Sequence, residues 1–268
     1  LPINVNNGGS CTVASINGVC YNTIQGAINA AQSNGETEQD VINIRNGTYK
    51  ECLSISGKNI QLLGESKAGV IINNTSCSSY GIHVNEANQI IFKNMTVNGA
   101  PSSYTFKIAN STNVELKQIN VNDSKLTGID LNGVNGAFIN NVKVVNTRRG
   151  FGLMIKDSKN VEVKNVTTSG NAWGGVSVQT AGDSYTGGVD NVAFTGNFNV
   201  SEIVPLLLEK DYPGYYDITN VTIPDKFNYI VYTLRSDNYK QWIYVETLEK
   251  VWQFANGLMN LPSNPYSY

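Results

Sequence analysis

An all-β parallel solenoid is the fold class this sequence predicts, and three observations predict it. A short strand motif returns at a period of about 24 residues, apolar and polar residues alternate within each repeat, and an amide-rich column recurs in phase with the motif. The motif reads Gly81-Ile82-His83-Val84, Phe106-Lys107-Ile108, Gly128-Ile129-Asp130-Leu131, Gly152-Leu153-Met154-Ile155 and Gly175-Val176-Ser177-Val178. A unit of this length holds two or three short strands. That is too little to bury an apolar face alone, but enough for one turn of a stacked coil.

The elements follow in order. Residues 1–35 form an N-terminal segment with a hairpin signal at Asn17-Gly18. Ile24, Ala27, Ile28 and Ala31 then recur at helical spacing, with Asn22 or Thr23 as N-cap and Gly35 beyond the end. Such a helix covers the open end of a first coil, which otherwise exposes its core and strand edges.

Residues 41–198 carry the repeating coils. In Asn113-Val114-Glu115-Leu116-Lys117 and Asn160-Val161-Glu162-Val163-Lys164 every second residue is apolar, so one strand face is dry and the other wet. The amide column comprises Asn94, Gln118, Asn141, Asn165 and Asn191, with Asn220 after a longer excursion. Stacked carboxamides can donate to one rung and accept from the next; asparagine also simply favours turns.

Residues 199–268 leave the repeat and are expected to form an irregular cap or an interface. Val204–Leu208 and Tyr216–Val221 suffice for one more coil, Tyr229–Leu234 and Gln241–Val245 alternate like strands, and Thr247–Asn256 has the makings of a short helix. The tail Leu261–Tyr268 reads as extended and aromatic. All three parts belong to a single domain.

Composition limits the partners. The formal net charge is −2, 15% of the 268 residues are charged, and no basic run is present, which argues against nucleic acid. No stretch is apolar over the 18 or more residues of a membrane-spanning helix. The first residue is Leu1, and removal of an upstream signal segment is expected.

Four cysteines suit an oxidising compartment. Cys11 and Cys20 flank the hairpin, and Cys52 and Cys77 are about one coil apart, so two disulfides are expected: Cys11 with Cys20 and Cys52 with Cys77. One histidine and no CxxC pair make a zinc site an unpromising assignment, and no cofactor is expected. Among many Asn-X-Ser/Thr sequons, Asn46, Asn110, Asn122 and Asn199 fall at expected turns and are the best glycan acceptors.

The opening is more specific. Thr23-Ile24-Gln25-Gly26-Ala27-Ile28-Asn29-Ala30-Ala31, Val41-Ile42-Asn43-Ile44, Gly47-Thr48-Tyr49-Lys50-Glu51 and Ile60-Gln61-Leu62-Leu63-Gly64 together resemble the start of right-handed parallel β-helix proteins of the pectin-lyase-like superfamily. The resemblance implies the fold and leaves the activity open, since that superfamily holds lyases, hydrolases, esterases, epimerases, adhesins and inert surface proteins. Its polygalacturonase-like members carry paired aspartates and a Gly-His-Gly. This chain has no Asp-Asp pair, and its one histidine sits in Gly81-Ile82-His83-Val84. Motifs of the methylesterase-like members, two aspartates and an arginine on adjacent rungs, are not matched beyond the opening. Pectate-lyase-like members need a calcium-binding acidic cluster and an arginine base.

One column remains as a candidate site. With Ile82 and Val84 inward, His83, Lys107, Asp130, Met154 and Ser177 point outward from successive rungs about 5 Å apart, close enough for proton transfer or for a sugar carboxylate. Arg148, Arg149, Lys156 and Asp157 lie one coil further on. A solvated strand face with no catalytic role is the simpler expectation. The expected function is accordingly that of a secreted structural protein, a subunit of an extracellular filament or surface layer that polymerises head to tail through its ends. The alternatives are a lyase or hydrolase of acidic glycans acting through His83, Lys107, Asp130 and Arg148, and a carbohydrate-binding adhesin that stacks sugars on exposed Tyr and Trp.

Overall fold

The computed structural model describes residues 11–32, 39–180, 188–202, 204–210, 218–223, 230–236 and 239–245. The chain opens with β1 (Ala14–Ile16) and β2 (Val19–Tyr21), an antiparallel hairpin, followed by α1 (Ile24–Ala30). Asn17 and Gly18 both take positive φ (49° and 79°), the backbone that a two-residue hairpin turn requires. Thr23 caps α1 as expected, its hydroxyl accepting from the Gly26 amide at 2.9 Å.

The rungs then alternate between two sheets. The first eight strands are β3 (Asp40–Ile44), β4 (Gly47–Tyr49), β5 (Leu53–Ser56), β6 (Ile60–Gly64), β7 (Val70–Asn73), β8 (Ile82–Asn85), β9 (Asn88–Asn98) and β10 (Phe106–Ala109). Next come β11 (Thr112–Asn122), β12 (Ile129–Asn132), β13 (Asn135–Val145), β14 (Phe151–Lys156), β15 (Lys159–Ser169) and β16 (Gly174–Gln179). The last are β17 (Val189–Val200), β18 (Leu206–Lys210), β19 (Ile218–Thr222), β20 (Ile230–Ser236) and β21 (Tyr239–Val245). In the first sheet the long strands stack as β6, β9, β11, β13, β15, β17 and β19; in the second, the short strands stack as β5, β8, β10, β12, β14, β16, β18 and β20. Pairing within both stacks is parallel.

Register explains the repeat. Val84 pairs with Ile108, Ile108 with Leu131, Leu131 with Ile155 and Ile155 with Val178. All five are fully buried, so each inward position of the motif stacks on its counterpart in the next coil. The parallel ladder runs on past residue 198 through β18 and β19, where one more coil is expected, and on to β20, after which β21 turns back antiparallel. The expected helix at 247–256, the tail at 261–268 and the first ten residues lie outside the described residues.

The first coil holds α1 at both ends. Glu51 accepts from the Ile24 and Gln25 amides at 2.9 and 2.8 Å, placing a carboxylate on the positive end of the helix. Lys58 Nζ donates to the carbonyls of Ile28 and Ala31 at 2.8 and 2.5 Å. The disulfides Cys11–Cys20 and Cys52–Cys77 are both formed, with Cα separations of 5.3 and 5.7 Å. Disulfides of this kind are compatible with an extracellular location. No helix among the described residues is long and apolar enough to cross a membrane.

The amide column differs from expectation. Asn94, Gln118, Asn141 and Asn165 do align, each with φ between 53° and 58°, at a sharp corner within the long strands. Carboxamide residues tolerate that left-handed backbone, and conformation is what selects them here. Asn94 Oδ1 is buried without a hydrogen-bond partner. Asn191 is not in this column: the β15–β17 register sets it opposite Asn160, and Asn220 follows it. The amide bonds run along that other corner, from Asn160 to Asn135, Asn191 to Asn160 and Asn220 to Asp190, each at 2.8 Å. The sequence spacing hid this because the link from β16 to β17 lengthens the coil, so that Asn160 and Asn191 stand 31 residues apart rather than one repeat of about 24.

Candidate functional site

The second sheet presents its outer face through side chains that alternate with the stacked core positions. His83, Lys107, Asp130, Met154, Ser177 and Leu207 line up in register on β8, β10, β12, β14, β16 and β18. The expected outward column is therefore present, but it is not a solvated face. Asp130 and Ser177 are fully buried and Leu207 is 1% exposed. The expectation that Asp130 stands at the surface is corrected on that ground.

A buried carboxyl needs compensation, and Lys107 supplies it: Nζ lies 2.5 Å from Asp130 Oδ2. Burial pushes the Asp130 carboxyl above the ordinary carboxylate range, opposed by the charges of Lys107 and Lys156. Its second oxygen, Oδ1, and the Ser177 hydroxyl have no hydrogen-bond partner. On the other side of Lys107, His83 is half-buried. Burial first, and then the Lys107 charge, hold its imidazole below the usual histidine range.

Aromatic rings edge this column. Tyr80 packs on His83 with ring centroids 4.7 Å apart, Tyr104 follows at 6.2 Å from Tyr80, and the Lys107 ammonium sits over the Tyr104 ring at 5.3 Å. Three rungs beyond Tyr104, Trp173 is 59% exposed and meets the edge of Phe151 at 6.1 Å. Phe151 leaves the main core and packs with Leu207 and Val204 on the outside of the sheet. Gly174, at φ 144°, makes room for it: a Cβ there would stand 2.9 Å from the Phe151 ring and 2.6 Å from the Val204 carbonyl.

The turn that carries Trp173 is pinned. Ala172 N donates to Thr147 O at 3.0 Å and Trp173 N to Gly150 O at 3.1 Å. Asn171 accepts from the Thr147 amide and donates from Nδ2 to Glu202 at 2.6 Å. Arg148 and Arg149 are exposed in the turn one coil earlier, the one to which 172 and 173 are bonded. Arg148 is thus placed beside the aromatic edge, in a turn rather than on the sheet that carries Asp130.

The rings were missed in the sequence although a signal was there. Tyr80, Tyr104 and Phe151 each stand two residues before the first stacked core position of a second-sheet rung, Ile82, Phe106 and Leu153, and Trp173 stands one residue earlier still, three before Val176. Among the described residues no cluster of three or more His, Cys, Asp or Glu is arranged to hold a metal ion. Of the glycan candidates, Asn46, Asn110 and Asn199 are exposed, whereas Asn122 is half-buried with its amide donating to Asn98 at 3.1 Å.

Curated protein sequences give no match to this chain. Among solved structures it is similar to a pectin methylesterase from Yersinia enterocolitica, at 13% identity over 85% of this chain and 87% of that one, with a TM-score of 0.42. It is also similar to the pectin methylesterase PemA from Erwinia chrysanthemi, at 15% identity, 86% and 82% coverage and a TM-score of 0.37. A third likeness is to the catalytic domain of a GH87 α-1,3-glucanase, at 11% identity, 73% and 51% coverage and a TM-score of 0.38. A family model described as right handed beta helix region matches residues 58–204, more than half of the sequence and the whole span from β6 to the outer column of β16. The chain belongs to the right-handed β-helix family.

Proposed function

We propose that this protein binds a polysaccharide along the outer edge of its second sheet, without cleaving it. The observation that carries this reading is the line of accessible rings, Tyr80 and Tyr104 at one end and Trp173 at the other, set on stacked rungs with Arg148 and Arg149 beside them. A ring face excludes water from the apolar face of a sugar while its polar tip stays wet. Rungs about 4.8 Å apart repeat the platform at a step comparable to one sugar residue. Exposed guanidinium groups next to the rings favour a chain that carries carboxylates.

Cleavage is disfavoured by burial. A glycosidase needs two carboxyl groups flanking the scissile bond, and the one carboxyl on this column, Asp130, is fully buried against Lys107. The segments expected to make head-to-tail contacts in a filament, 1–7 and 261–268, lie outside the described residues.

Affinity electrophoresis in gels containing polygalacturonate or a neutral glucan tests the proposal. Retention by a uronate polymer is expected, reduced about 3- to 10-fold in Trp173→Ala and in Tyr104→Ala, with no release of unsaturated or reducing products. Unretarded migration in every polymer would overturn it, and product release would move the assignment to an enzyme.

A further inference from the structure

Lys107 and Asp130 are directly paired residues of the β10–β12 ladder, and their side chains meet on the outer face with Nζ 2.5 Å from Oδ2. The two side chains are 14% and 0% exposed. Carrying two full charges at such a depth is costly unless every remaining proton and lone pair is satisfied, and Asp130 Oδ1 is not. The Tyr104 ring covers the amine. His83 stands in register with Lys107 on the opposite side from Asp130. A desolvated lysine amine is a competent nucleophile once it loses its proton, and Asp130 Oδ2, 2.5 Å away, can take that proton.

We propose that Lys107 and Asp130 become joined by an isopeptide bond formed within the folded chain. Lys107 Nζ passes one proton directly to Asp130 Oδ2 across their 2.5 Å contact, which leaves a neutral amine facing a neutral carboxylic acid. Lys107 Nζ attacks Asp130 Cγ, and the Nζ–Cγ bond forms as the Cγ–Oδ2 bond breaks. Oδ2 departs as water, carrying the hydrogen of the acid and one hydrogen of the amine. An ammonium–carboxylate pair becomes one amide and one water, with no oxidant or other co-reactant. Burial favours this direction of change, because it raises the proton affinity of Asp130. The product replaces two buried charges by a neutral amide and ties adjacent coils together. Polysaccharide binding as proposed above uses neither charge, so the two proposals stand or fall separately.

The full chain, expressed in a bacterial periplasm where both disulfides form, is measured by intact mass spectrometry without reductant. The expected mass is that of the sequence with two disulfides, less one water. A tryptic digest should contain one branched species that joins residues 94–117 to residues 126–143, since the linked Lys107 is no longer cleaved. Lys107→Arg and Asp130→Ala should each restore the unmodified mass, and Asp130→Asn should lose ammonia in place of water. A wild-type mass equal to the disulfide-bonded sequence overturns the proposal, as does a water loss that fragmentation maps to any other residue.

Discussion

The two sheets of this coil share one interior and have different exteriors. Outward positions of the first sheet carry Lys93, Glu162 and Lys164, all exposed, as an alternating strand predicts. At the equivalent outward positions of the second sheet, Asp130, Ser177 and Leu207 are buried as deeply as the core. The inward residues make the coil, and they do so equally on both sides. Function has to be sought where an outward residue fails to behave as a surface residue.

The largest test of that contrast is a charge placed on each face. Ser177→Asp on the second sheet buries an unpaired carboxylate and should cost about 3–5 kcal/mol. Thr167→Asp, outward and half-buried on the first sheet, should stay within about 0.5 kcal/mol. Urea denaturation of both variants measures the pair, and equal costs would mean that the faces do not differ. Next comes Leu131→Ala, an inward truncation in the coil of Asp130. It should cost about 2–5 kcal/mol, as should Ile139→Ala in the first sheet, because the interior is common to both.

Ser177→Ala should be neutral or slightly stabilising by the same measurement, since its hydroxyl is buried and unpartnered and its removal leaves no orphan behind. The smallest effect is electrostatic. His83 has a folded-state proton affinity below the ordinary one, so the unfolded chain binds the proton more readily. The stability this group contributes is present above the unfolded pKa of about 6.5 and is lost as pH falls below it. His83→Asn should therefore flatten the acid limb of a plot of Tm against pH between 7 and 5, and an unchanged limb would show that the imidazole titrates as if free.

Much of the interior was legible from spacing alone. Val84, Ile108, Leu131, Ile155 and Val178 stack where the period places them, because a strand side chain has only two directions, and at Gly128, Gly152 and Gly175 the coils approach too closely for any side chain. The exterior was less legible. Alternation says that Asp130 points outward but not what lies over it, and its contact with Lys107 on the neighbouring rung appears only once the coils are stacked. The amide corner failed for a related reason: the link from β16 to β17 sets Asn191 31 residues after Asn160, and counting along the chain then ran one corner out of step with counting along the stack.

Next to the start of the long strands, buried positions Ala87, Ser111, Val134 and Ser158 follow one another up the stack. The Ala87 amide donates to Ser111 Oγ at 3.1 Å and the Val134 amide to Ser158 Oγ at 3.0 Å, so a hydroxyl appears on every second coil and serves the apolar rung below it. Excising a single coil between them would set Ala87 against Val134 and leave a buried N–H with nothing to bond. Excising two would put Ala87 against Ser158 and change nothing locally. In this part of the molecule the unit that can be copied or lost without penalty is a pair of coils, and changes in the length of the rod are expected to come in even steps.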